Sequence, residues 1–519
     1  MSELHPAPGS VPQTVPWTGL MGVLMGTFLS TLNTRLSAVG LEDIRGAVHA
    51  GFDDGAWITT AHTAGQMLVA PLAIWLGRCY GPRPILIRAA LAFAVISFFK
   101  PLTSDLPGLL ALQLVGGAAS GFFVPLTLGF VLQNMPHRIW AYGIALYALN
   151  IEVSLNVASS LEGWYVDNWS WHWIFWQSVP LSLAMAWCLH SPRPTSPIPP
   201  QRPPLDLYGL VTGGTGLGLI YAGLDQGNRL DWLNSPLIVA LILSGAILFI
   251  AFLIHERISP ASSVDFMVAL QWPLPLQIVL ITFLRVALLA TSFAIPEFLE
   301  VVRGYRALEA GDTLLWVAGP QLGLCFVAGY LLRRMDARWV AAAGFVLIGT
   351  ACVMVAYDLT PLWGSEQFLA SQLLQAIGQS FALSRVVFYG ILHLKPQDAL
   401  TFGGVLQSVR LMGAEIGQAF IATSVRVRGQ IASNLIGQHV RVGDGAVLHR
   451  IQDYAALTAR AGAPATATLR GTEILARVVH QAAITQGIID SLVILAACTG
   501  IGFALVFFAR PPPPGPASP

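Results

Sequence analysis

Six charged side chains stand in stretches that are otherwise oily: Arg35, Glu152, Arg285, Arg385, Arg410 and Glu415. His62 is a further titratable group in such a setting. A charge at a bilayer centre costs about 2.5–3.5 kcal/mol on insertion scales, so it persists where it faces protein or water. Four arginines and two acids cannot all face lipid. The economical arrangement is a polar, water-filled cavity between helices, with partial pairing. Glu152 and Glu415 are the mid-span carboxylates, and a carboxyl held away from water can bind and release a proton. Glu152 heads a polar stripe with Asn156 and Ser159, four and seven residues on. The alternative for Glu152 is a fixed ion pair with Arg35 or another arginine. His62 either titrates near neutral pH or is simply hydrogen-bonded. Arg410 stays protonated, so it reads as structural or substrate-facing. Gln113, Gln372, Gln375 and Gln379 can hold substrate as neutral donors and acceptors, or can bond helix to helix. Arg35, in "TFLSTLNTRLSAVG" (27–40), either lines a substrate path or snorkels to the membrane surface. Glu162, Glu297, Glu300 and Asp490 lie near helix ends and are expected in water.

The elements that must position these groups follow from composition. Of 519 residues, 55% are hydrophobic and 11% charged. A soluble domain carries about 25% charged residues, so the main solvent here is lipid. Mean hydropathy is +0.64. The net charge of +1 argues against a nucleic-acid partner. Five cysteines are scattered without a C-x-x-C pair, so neither a disulfide framework nor a zinc site is expected, and no cofactor is implied. No basic region precedes Trp17, so the first apolar run is expected to stay as an anchor.

A helix needs about 20 apolar residues to cross the hydrocarbon core. Fourteen runs qualify, near 17–38, 56–76, 84–103, 106–132, 138–161, 171–190, 206–225, 236–256, 273–298, 310–331, 338–357, 366–392, 398–424 and 486–510. With the N-terminus in the cytoplasm, twelve basic residues fall in inside loops. Five fall in short outside loops, namely Arg45, Lys100, Arg229, Arg303 and Arg306. The expected organisation is an all-α membrane protein. It has a cytoplasmic tail (1–16), a six-helix bundle (17–190), a proline-dense cytoplasmic linker (191–205), two inserted helices (206–258), a second six-helix bundle (259–510) and a disordered tail (511–519). Within the second bundle, 425–485 is expected as a long periplasmic loop. Its start, "RVRGQIASNLIGQHV", has loosely helical spacing, and "AGAPATATL" reads as flexible. "TGGTGLGL" (212–219) lacks the Gly-Lys-Ser/Thr of a nucleotide loop and reads as close helix packing by small residues. Trp164, Trp169, Trp171, Trp173 and Trp176 read as an interfacial belt.

Four stretches carry a family resemblance. "EGWYVDNWSWHWIFWQSVP" (162–180), "FAIPEFLEVVRGYRALEAGDTLLW" (293–316), "SVRLMGAEIGQAF" (408–420) and "FFARPPPP" (507–514) resemble, in order and spacing, the fourteen-helix drug:proton antiporters of the major facilitator superfamily, the EmrB/QacA branch. The resemblance implies two six-helix bundles plus two extra helices, and efflux of toxic compounds by alternating access. It also implies a bacterial inner-membrane location and, for some members, a periplasmic adaptor and an outer-membrane channel as partners. The family's coupling signatures are rewritten here. Arg78 stands where an Asp is usual in "WLGRCYGPRP", with Gly81 and Arg83 kept as gating-loop residues. Gln113 replaces an Arg, and Asn33 replaces an Asp. In "YLLRRMDARW", Arg334 stands near the expected Asp.

The expectation is a proton-coupled secondary exporter of amphipathic or aromatic small molecules, not an enzyme. Glu152, Glu415 and His62 are the proton-coupling candidates. Asn33, Arg35, Gln113, Asn156, Arg285, Gln375, Arg385 and Arg410 are the cavity candidates. A transporter without proton coupling, or a membrane sensor or scaffold of transporter descent, is the alternative.

Overall fold

The computed structural model describes residues 17–135, 140–190, 204–259, 266–392, 398–441, 443–459 and 466–509. The expected tails 1–16 and 511–519, and the linker up to residue 203, lie outside them. Every apolar run falls on helix, and no strand occurs among the described residues. The first six helical segments are α1 (Trp17–Val39), α2 (Trp57–Leu68 and Ala70–Tyr80), α3 (Pro82–Leu102), α4 (Leu106–Gly121 and Phe123–Asn134), α5 (Trp140–Asn168) and α6 (Trp173–Trp176 and Ser178–His190). Next come α7 (Leu207–Gly227) and α8 (Pro236–Ile258). The rest are α9 (Leu274–Val302), α10 (Ala307–Arg334), α11 (Ala337–Asp358), α12 (Leu369–Leu392), α13 (Ala399–Gly437) and α14 (Ala467–Val506).

Among the described residues, nine of these helices are by themselves long and apolar enough to cross a membrane: α3, α4, α5, α7, α8, α9, α10, α11 and α14. The other runs differ for a physical reason. α6 is short, and α1, α2, α12 and α13 turn polar side chains inward, such as Asn33, Gln66, Gln375 and Gln407.

Helix packing repeats. α1 packs on α4, α5 and α6; α2 on α4; α3 on α4 and α6. α9 packs on α12, α13 and α14; α10 on α12; α11 on α12 and α14. Adding eight to each helix number of the first group gives the second. α7 and α8 pair with each other, and α7 also lies against α2 and α13. Between the groups, α5 runs along α10 and α12, while α2 and α4 meet α13.

Small residues permit the closest approaches. A Cβ on Gly117 of α4 would fall 1.9 Å from the His62 carbonyl oxygen, and one on Gly163 of α5 would fall 2.6 Å from the Leu308 nitrogen. The "TGGTGLGL" glycines do the same on α7: Gly214 faces the Leu68 carbonyl and Gly216 the backbone of α8. Gly81, between α2 and α3, has φ +81°, a conformation an L side chain rarely adopts.

Two expectations need correction. Lys100, counted as a loop residue, is fully buried at the end of α3, its ammonium 5.6 Å from the Phe93 ring and 5.4 Å from the Phe175 ring. The 425–485 segment is not a loop. α13 continues helically to Gly437, a helix spans Gly445–Ala459, and α14 begins at Ala467, inside the stretch read as flexible. Polar helix has no apolar run to mark it, so hydropathy alone ends both helices early.

Gly117→Val should force α2 and α4 apart and cost about 1–3 kcal/mol. Gly323 of α10 faces open space at its Cβ position, so Gly323→Ala should be neutral or slightly stabilising. Melting temperatures of the purified protein in detergent decide it. Equal behaviour of the two variants would show that the close crossing does not matter.

Candidate functional site

One end of the seam between the groups is shut. The Arg78 guanidinium of α2 donates to the Thr401 hydroxyl of α13 at 2.7 Å. Leu400 of α13 fills the space left by Gly77 and Gly129, and Gly403 sits on the Pro125 backbone. Arg83 caps the C-terminal end of α6, donating to the carbonyls of Leu189 at 2.7 Å and His190 at 2.6 Å. The gating-loop residues therefore fasten helix ends together.

The other end holds a cavity of about 640 Å³. Its lining includes Arg35, Arg45 and Arg306 against Glu42, Asp43, Glu162, Asp167, Glu297 and Glu300. Three guanidiniums against six carboxylates leave this mouth acidic. Arg306 pairs with Asp167 at 2.9 Å. Arg35 is half-buried and donates to the Ser292 carbonyl of α9 at 2.6 Å. α9 winds as a π-helix over Ala290–Ala294, a local widening common at functional positions. Glu162, expected in water, is only 2% exposed, because it lies beneath Gly40 and Ile174 at the edge of this mouth. Asp490, also expected in water, pairs with Arg428 at 2.6 Å.

Between mouth and seal lies a charged centre. The Arg285 guanidinium of α9 donates to Glu152 of α5 at 2.5 Å, and both are buried. Arg410 of α13 is within electrostatic reach of both. Arg410 bonds to Gln407 at 2.9 Å and to Thr31 of α1 at 3.5 Å. Two guanidiniums thus stand in the field of one carboxylate, which is bonded to Arg285. The partner of Glu152 is Arg285, not Arg35.

An amide ladder continues from this centre. Asn156 donates to Gln321 of α10 at 3.4 Å, and Gln321 donates to Gln379 of α12 at 3.1 Å. Gln379 donates to Thr291 of α9 at 3.0 Å and to Gln375 at 3.3 Å, and Thr291 reaches Gln372 at 3.3 Å. The ladder ties α5 to three helices of the second group. Gln321 and Thr291 escaped the sequence reading. A lone amide after Pro320 and a hydroxyl in an apolar run carry no charge to attract notice.

The remaining candidates lie elsewhere. Asn33 is fully buried inside the first group and donates to Ser178 of α6 at 3.1 Å. His62 lies 3.4 Å from Gln66 and 3.5 Å from Ser120, and the buried Gln113 lies beside it within hydrogen-bonding reach. All three are in the interior of the first group. Arg385 is fully buried on α12, donates to Gln277 at 3.3 Å and lies over the Tyr389 ring at 4.4 Å. Glu415 is 7% exposed on α13 and faces α7, away from Glu152.

The ion pair makes a sharp stability prediction. Glu152→Gln leaves Arg285 buried without its carboxylate and should cost about 3–5 kcal/mol, whereas Glu152→Gln with Arg285→Gln should recover most of that. Thermal melts of the two single variants and the double variant form the cycle. If the double variant loses the sum of the singles, the pairing is not what holds these helices.

Comparison with known proteins agrees with this architecture. The family model of the Major Facilitator Superfamily matches residues 23–417. The chain is 22% identical over 423 residues to "Multidrug export protein EmrB" of Haemophilus influenzae, covering 81% of this chain and 82% of that one. It is 22% identical over 424 residues to "Fatty acid resistance protein FarB" of Neisseria gonorrhoeae, covering 80% and 82%. Among solved structures it shares the fold of the human organic anion transporter MFSD10, with a TM-score of 0.56 at 13% identity, covering 95% of this chain and 98% of that one. By sequence match over most of its length and by fold, this integral membrane chain belongs to the major facilitator superfamily.

Proposed function

We propose that the protein is a proton-coupled secondary exporter of amphipathic or aromatic small molecules, with a preference for those bearing an anionic or carbonyl head. One observation carries the preference: two buried guanidiniums, Arg285 and Arg410, stand at the centre with one carboxylate, Glu152, which is bonded to Arg285. Arg410 rests on the neutral acceptors Gln407 and Thr31, so the centre carries an excess of positive charge that an anionic head group would balance. Resemblance to multidrug export proteins supports export of toxic compounds, and resemblance to a fatty acid resistance protein supports the head-group chemistry. Transport proceeds by rocking one bundle against the other around the buried centre, with the shut end opening as the mouth closes. The acidic mouth draws protons in and repels a released anion outward. Arg35 stands at the boundary of these two fields. Glu152 is engaged with Arg285, so Glu415 is the freer proton carrier.

The proposed orientation puts both termini and the linker in the cytoplasm of a bacterial inner membrane, with fourteen spans and the acidic mouth facing the periplasm. With Lys100 buried, the basic count becomes twelve against four, which strengthens that orientation. The outer parts of α13 and α14 and the helix Gly445–Ala459 then project into the periplasm. This projection offers a periplasmic adaptor a surface on the way to an outer-membrane channel.

Paired amphiphiles of equal tail and opposite head charge test the substrate class in proteoliposomes. The anion should be carried in preference. Arg410→Gln should weaken its transport about tenfold, the scale of one charge-assisted hydrogen bond, and Arg35→Gln should weaken it less. A best substrate that is a lipophilic cation sinks the anionic preference.

Orientation is read by single cysteines in a cysteine-free background, probed on intact cells with an impermeant thiol reagent. Position 450 should label and position 198 should not. The reverse pattern overturns the orientation and the direction of export inferred from it.

A further inference from the structure

The inserted pair α7 and α8 carries chemistry of its own. Asp225, near the end of α7, accepts from the Thr60 hydroxyl of α2 and from Gln226 at 3.1 Å. Glu415 of α13 lies across from it. That carboxylate is about nine-tenths buried, and among the described residues no ion pair reaches it. The groups that face Glu415 are the Tyr221 hydroxyl of α7 and Asp225 itself. Among the described residues the cation acting on Asp225 is Arg229, and that guanidinium is committed to Asp53 at 2.6 Å and Gln226 at 2.7 Å. Tyr221 also faces Thr63 of α2. Further out, Arg426 of α13 is engaged with Asn228 at 3.2 Å. Beneath the site, Met67, Leu217, Leu411 and Met412 form an apolar floor.

Two carboxylates in mutual electrostatic reach, dry on one side and without a free cation, cannot both be ionised. A proton is the smallest ligand that resolves the conflict. We propose that Asp225 and Glu415 form a proton-binding latch between α7 and α13, sharing one proton while these helices are packed together and releasing it when they part. α7 is seated on α2 of the first group, whereas α13 belongs to the second, so the latch spans elements that the rocking proposed above would part. Protonation closes the contact. Ionisation of both groups drives it open by like-charge repulsion. The inserted pair then acts as the part that makes bundle motion depend on proton binding. In its link to transport this rests on the export reading above; in its proton chemistry it does not.

The test has two arms, both on the full-length protein in lipid. Infrared spectroscopy should show a protonated carboxyl band at neutral pH in the unaltered protein. A component of that band should vanish in Asp225→Asn and in Glu415→Gln, persist in Glu152→Gln, and survive in Asp225→Glu, which also controls for folding. The rest of the band belongs to other carboxyls such as Glu162, which is buried beside Asp43. In proteoliposomes loaded with an anionic amphiphile, Asp225→Asn should keep substrate exchange at zero gradient and lose uphill transport driven by a pH gradient. A band unchanged in Asp225→Asn overturns the latch. So does a requirement for sodium at constant pH, which would make the pair a metal-cation site. An unaltered protein that exchanges no amphiphile while showing the Asp225-dependent band leaves the latch standing and removes the export reading instead.

Discussion

A guanidinium cannot shed its charge, so each one placed inside the membrane must be given oxygen atoms. That constraint organises the centre of this protein. Arg285 takes Glu152 across the seam, Arg410 takes Gln407 and Thr31, and Arg385 takes Gln277 and a tyrosine face. Each solution joins helices that are far apart in sequence. The polar network is therefore also the fastening between the two bundles, and chemistry at the centre cannot change without changing their mutual fit. The close glycine contacts between α5 and α10 bring the backbones near enough for these side chains to meet.

The repeat in packing sets the frame for this centre. α1 and α9 hold equivalent places, and so do α5 and α13. Glu152 and Glu415 thus sit on equivalent helices, yet their surroundings differ. The first is paired with arginine, and the second faces another carboxylate. The asymmetry arises because α7 stands beside α13 and nothing comparable stands beside α5. An insertion between two copies has given the second copy a different electrostatic neighbourhood.

Much of this was legible in the amino-acid order. Apolar runs located the helices, and of the charged residues inside them Glu152, Arg285 and Arg410 come together between the two groups. Pairing was not legible, because Glu152 and Arg285 are 133 positions apart and any of four arginines could have served. Residues near predicted ends were misread. Lys100 fell a few positions from a loop and was counted with it, though an extra three-residue turn draws it under Phe175. Asp225 closes the run 206–225 and was not among the candidate residues. The helical continuation beyond residue 424 was only hinted at, since its polar face and apolar face alternate without an oily run. The neutral members of the ladder, Gln321 above all, become visible only when four helices are assembled around them.

The length of α13 has a mechanical meaning. At about 1.5 Å per residue, its 39 residues make a rod of roughly 58 Å. One end is pinned at the shut seam by Thr401 and Arg78, and the other is the polar stretch that runs on to Gly437. A rigid tilt of about 5° at the pinned end swings the far tip by roughly 5 Å over that length. Motion too small to notice at the seal becomes a displacement the size of a side chain at the tip. Any molecule resting on that tip could read the state of the opposite face without contacting substrate or proton.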